Sequence, residues 1–128
     1  MAHVVVEWTD NLERDFDLSA LLRLIAAEMR DHSQGAFPTG GIRVRGIRLS
    51  DYVIADGQGP YDAFINIEVL MGVGRPAEFK HAFFDQLFGR VKEFLGDLFD
   101  RRPLALSLYV FESEGWKHNS IHHRLKKA

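Results

Sequence analysis

Apolar residues alternate with polar ones, then recur every three to four positions, then alternate again. This succession of periods divides the chain into elements. Residues 3–8 (HVVVEW) are β-branched and aromatic and predict a strand, which Asp10-Asn11 breaks. Over 17–30 (DLSALLRLIAAEMR), Leu18, Leu21, Leu22, Ile25 and Met29 fall at helical spacing, and Asp17 is placed to cap the helix. A Gly- and Pro-rich loop at 33–41 leads into 42–49 (IRVRGIRL). There Ile42 and Val44 alternate with Arg43 and Arg45, and at Gly46 the apolar phase slips by one residue to Ile47 and Leu49. A glycine at a phase slip predicts a β-bulge. A second loop at 55–62 joins 63–71 (AFINIEVLM), where Ala63, Ile65, Ile67, Val69 and Met71 share one face. After the turn 72–75 (GVGR), Pro76 falls in the first turn of a long helix. Phe79, Phe83, Phe84, Leu87, Phe88, Val91, Phe94, Leu95 and Leu98 carry that helix to about residue 99, and 101–103 (RRP) ends it. Residues 104–112 (LALSLYVFE) predict the last strand.

The order β-α-β, β-α-β is a duplication in layout, roughly 60 residues per unit. The units lie at about 3–49 and 63–112 of one domain over 1–128, followed by a tail at 113–128. Right-handed crossovers place both helices on one face of a four-stranded sheet, an α+β architecture. The opposite face has no cover, yet it carries Phe64, Leu70, Ala105, Tyr109 and Phe111. That much exposed apolar surface predicts a homo-oligomer. The tail is polar and basic at its end, and reads as a docking arm or a frayed end.

Composition narrows the function. The chain has 128 residues, 46% hydrophobic and 27% charged, as expected of one soluble globular domain. A net charge of -2 gives no electrostatic case for nucleic acid. The absence of cysteine excludes disulfides, thiolate metal sites and a cysteine nucleophile. No secretory signal and no run long enough to span a membrane is visible, so a cytoplasmic protein without a membrane partner is expected. His118 and His122 are four residues apart with His123 beside them, but no acidic third ligand stands near. That cluster reads as a solvated tail, with no metal expected. GVGR lacks the third glycine of a dinucleotide fingerprint.

Several local segments occur in a familiar order. They are HVVVEWTDN, FPTGGIRVR, ADGQ, GVGR and LALS, and they run along nearly the whole chain. Together they resemble the tautomerase superfamily and, within it, the 5-carboxymethyl-2-hydroxymuconate Δ-isomerases. The resemblance implies a β-α-β-β-α-β protomer assembled as a trimer, with no metal and no organic cofactor. It implies a proton shift that moves a double bond in a dicarboxylated enol during aromatic-acid breakdown. The base is an N-terminal proline exposed by removal of the initiator methionine, and two arginines hold the substrate's carboxylates. Here Arg43 and Arg75 fall on those arginines, and Phe37 is a candidate wall of the pocket. Position 2 departs from the pattern, because Ala2 stands where the proline would be.

The chemistry of these residue types agrees. A terminal amine pinned on a strand is a general base of fixed geometry, near pKa ~8 before burial or nearby cations lower it. Ala2 supplies that amine once Met1 is removed, as a primary amine without a ring to fix φ. Two guanidinium forks favour a dianion and stabilise charge developing on an enolate. From spacing alone, Arg43 and Arg45 are a solvated pair and Arg75 a turn residue. The expectation is therefore a cofactor-independent isomerase. The alternative is a non-catalytic or diverged trimer that binds a small dicarboxylate or a protein partner.

Overall fold

The computed structural model describes residues 1–126. Four strands, β1 (Ala2–Thr9), β2 (Ile42–Leu49), β3 (Ala63–Met71) and β4 (Leu104–Glu112), form one sheet in the order β2-β1-β3-β4. β1 runs parallel to β2 and antiparallel to β3, and β3 runs parallel to β4. A helix bridges each parallel pair: α1 (Leu18–Asp31) and α2 (Ala77–Leu95). Two short helices, α3 (Leu98–Arg101) and α4 (Ile121–Lys126), follow, and 3-10 turns occupy Asp10–Leu12 and Thr39–Gly41. The expected α+β layout is the one the chain adopts. No described helix is long and apolar enough to cross a membrane.

One face of the sheet is dry. Val4, Val6, Ile65, Ile67 and Val69 are fully buried there with Leu21, Ile25 and Met29 of α1 and Leu87 and Val91 of α2. Burying each such side chain is worth about 1.5–3 kcal/mol. A one-residue slip of β1 or β3 would turn this whole set to solvent, so packing fixes the register. Asp17 caps α1 as expected, its Oδ1 accepting from the Ala20 amide at 3.1 Å.

Three details differ from the sequence expectation. No bulge occurs at Gly46: β1 and β2 pair without interruption from Ala2–Ile42 to Thr9–Leu49. The phase slip is a change of apolar face. Gly46 lies on the helix side because Leu18 fills that space, and a Cβ there would meet Leu18 Cδ2 at 2.8 Å. Beyond it, Ile47 turns to the open side and is exposed. Second, α2 stops at Leu95, where Gly96 takes φ 51° and its amide bonds the Lys92 carbonyl at 2.9 Å. A glycine relieves the Cβ strain of that conformation, and the chain restarts as α3. Third, Pro76 is the N-cap of α2 and precedes its first turn.

The open face presents rows of partnered residues: Arg43, His3, Leu70 and Phe111 across the four strands, then Arg45, Val5, Glu68 and Tyr109. Leu70, Tyr109 and Phe111 are 45%, 56% and 50% exposed. The tail leaves β4 with Ser113 donating its amide to the Met71 carbonyl at 2.9 Å. It then turns back across the sheet end. The last two residues of the tail predicted at 113–128 lie outside the described residues.

Candidate active site

β1 is an inner strand, and its first residue is held on both sides. Ala2 pairs with Ile42 of β2 and Met71 of β3 and is buried. Met1 lies just beyond it, with its Cα 3.1 Å from where a Cβ on Gly41 would sit. The chain start is therefore seated between two neighbouring strands. A cavity of about 560 Å³ opens there, lined by Met1, His3, the 70–73 stretch and residues 113–117. That volume suits a small organic ligand.

Arg75 is fixed by three contacts. Its Nη1 donates to the Gly72 carbonyl at 3.1 Å and its Nη2 to the Ala36 carbonyl at 2.8 Å. Its guanidinium carbon lies 4.7 Å from the centre of the Phe37 ring, a cation–π contact. Phe37 itself is only 2% exposed and packs against Phe79, Phe83 and Phe84. The expected pocket wall is thus a core residue that does not line the cavity. Its loop position concealed this, since only the packing of α2 brings three phenylalanines onto it.

Arg43 projects from β2 on the open face, beside His3. Its Nη1 reaches the Gly40 carbonyl at 3.4 Å. Arg45, two residues on, donates from Nη1 to His3 Nδ1 at 3.1 Å. A guanidinium can only donate, so Nδ1 accepts and the neutral ring carries its proton on Nε2. Burial, then the charges of Arg45, Arg43 and the terminal amine, hold His3 below the ordinary histidine range.

Cations also act on the terminal amine, which in this structure is that of Met1. Burial comes first, then the charge of Lys117 and a hydrogen bond with it, then the charges of Arg75 and Arg43. All of these lower the pKa of the terminal amine from its usual value. A base of this kind is neutral over more of the physiological range than a free chain terminus. The arrangement can take a proton from an anionic substrate and steady the charge that develops.

None of Ala2, Arg43, Arg75 and Phe37 is among the residues that line the cavity; the charges of Arg75 and Arg43 act on the Met1 amine, and Phe37 packs against Arg75. Sequence reasoning missed two lining residues, His3 and Lys117. His3 had a signal, because strand alternation puts it opposite Arg43 once β1 and β2 are paired. Lys117 had none, since only the return of the tail brings it to the cavity.

Relatives share this architecture. A family model for 5-carboxymethyl-2-hydroxymuconate isomerase matches residues 2–125. The 5-carboxymethyl-2-hydroxymuconate Delta-isomerase of Escherichia coli is 31% identical over 125 residues, covering 95% of this chain and 97% of the relative. Among solved structures, a 5-carboxymethyl-2-hydroxymuconate isomerase from Deinococcus radiodurans R1 has a TM-score of 0.90 at 35% identity, over 97% of this chain and 93% of that one. A fused 4-OT wild-type symmetric trimer shares the fold at a TM-score of 0.59 and 19% identity, over 91% of this chain and 95% of that one. The matched stretch takes in both β-α-β units, the cavity and most of the tail, and on it the chain belongs to the 5-carboxymethyl-2-hydroxymuconate isomerase family.

Proposed function

We propose that this protein is a cofactor-independent isomerase that shifts a proton and a double bond in a dicarboxylated 2-hydroxymuconate-type enol during aromatic-acid degradation. With Met1 removed, the neutral amine of Ala2 takes a proton from the substrate, and the resulting ammonium returns it at carbon. Arg43 and Arg75 hold the carboxylates, and Phe37 keeps the Arg75 guanidinium in place. The observation that carries this reading is a chain start seated beside a cavity, where burial and nearby cations lower the pKa of the Met1 amine; removal of Met1 exposes the Ala2 amine one residue further in. The half-exposed Leu70, Tyr109 and Phe111 of the open face support a homotrimer, the assembly of the trimeric neighbour.

Intact-protein mass spectrometry paired with an absorbance assay on a 2-hydroxymuconate-type dienol tests it. Loss of Met1 together with turnover is expected. A free Ala2 terminus without turnover would move the protein to the non-catalytic binder.

Two further results are expected. Only the neutral amine accepts a proton, so kcat/KM should fall as pH drops through the amine's pKa and level off above it. The Met1 amine at this place is shifted downward by burial, Lys117, Arg75 and Arg43, and the Ala2 amine one residue further in is expected to shift the same way, which puts the inflection below the ordinary ~8 of a chain terminus. An inflection at or above that value would separate the base from these cations. Second, Arg75→Ala should weaken binding of a dicarboxylate by about 1.5–3 kcal/mol, the scale of a hydrogen bond to a charged group. Calorimetry measures this, with thermal melting as the control for folding. Unchanged affinity would remove Arg75 from the site.

A further inference from the structure

The tail is anchored on both sides of the chain start. At one end, Ser113 bonds the Met71 carbonyl, beside Ala2 on the β3 side. At the other, Asn119 Nδ2 donates to the Gly40 carbonyl at 2.7 Å, on the approach to β2. Asn119 also caps α4, its Oδ1 accepting from the Ile121 amide at 2.9 Å. The His122 ring lies flat against Gly40, where a Cβ would come within 2.5 Å of Nδ1. The stretch between these anchors therefore crosses over the terminal amine as a strap. Trp116, 96% exposed, and Lys117 both line the cavity with Met1 and His3.

Of the residues that line the cavity, Lys117 is the one lysine or arginine. Arg75 and Arg43 are not among the lining residues, and both donate to backbone carbonyls. We propose that Lys117 is a third substrate-binding cation, carried to the site by the docked strap, and that it receives the carboxylate lying on the strap side of a dianionic ligand. This rests on the dicarboxylate reading above and adds a residue from outside the two β-α-β units. After burial, Lys117 is also the largest influence on the terminal amine, as its place beside Met1 requires. An ammonium on a flexible stem suits a carboxylate whose position changes as the double bond moves.

The test uses two inert probes on the full-length protein, adipate as the dianion and hexanoate as the monoanion, each titrated by calorimetry. Lys117→Ala should bind adipate about ten-fold more weakly, with hexanoate affinity unchanged and Lys117→Arg restoring adipate binding. Asn119→Ala releases the strap from Gly40 and should weaken adipate binding in the same direction with Lys117 intact. Equal adipate affinity in wild type and Lys117→Ala overturns the proposal, as does a wild type that does not bind adipate. Binding of adipate by a wild type that turns over no dienol would reject the isomerase reading and leave the Lys117 assignment standing.

Discussion

A single glycine inserted between Met1 and Ala2 is expected to reduce kcat on a 2-hydroxymuconate-type dienol by at least about a hundred-fold, with KM little changed. The insertion keeps a primary amine at the terminus and keeps every side chain of the site. It moves the base outward by about 3.3 Å, one strand residue. A misplacement of ~1 Å already costs on the order of a hundred-fold in a positioned reaction. Ala2 is buried between Ile42 and Met71, so the register of β1 is held and the added residue takes the place that Met1 occupies beside Gly41, one residue out from the Ala2 amine. Steady-state kinetics on protein whose terminus has been verified by mass checks this. Undiminished kcat would exclude the terminal amine as the base and direct attention to His3, a further proton-carrying group that lines the cavity.

Arg102→Ala is expected to lower the stability of the fold by about 3 kcal/mol, the scale of losing two or more hydrogen bonds from one charged donor. Arg102 follows α3, and its side chain is only 11% exposed. It ties together three segments that are distant in sequence. It donates to the Asn11 carbonyl at 2.9 Å and to the Tyr61 carbonyl at 2.9 Å, and it pairs with the Asp15 carboxylate. These contacts join the ends of β1, β3 and β4 where the two β-α-β units meet. Urea unfolding at a fixed protein concentration measures the loss, since an oligomer's midpoint depends on concentration. A change of under about 1 kcal/mol would rank the cluster with exposed ion pairs.

How much of this was legible in the sequence depended on the range of the interaction. The two helices and four strands follow from local periodicity, because each buries a face whose period is its own. The Asp17 cap is equally local, one side chain reaching an amide three residues on. Gly46 was visible, but its meaning was not: a phase slip reads the same for an extra residue and for a change of buried face, and only the position of Leu18 separates them. Gly96 did mark the end of α2, yet the apolar spacing ran on through Leu98, which belongs to α3. Within the site, Arg43 and Arg75 were legible as residue types in particular segments. The burial of Phe37 and the arrival of Lys117 depend on packing between segments about forty or more residues apart, which no local pattern records.

The inner position of β1 has a consequence for how the chain is made. β1 is synthesised before either strand that flanks it, and its second neighbour, β3, ends only at Met71. On a ribosome, one of its edges stays open until β2 ends at Leu49 and the other until β3 ends at Met71, past the middle of the chain, and unpaired edges of apolar strands invite association with other chains. The sheet cannot close progressively from one end. It closes in a late, non-local event once β3 arrives, so the nascent protein spends its most vulnerable interval with one edge of its inner strand unprotected.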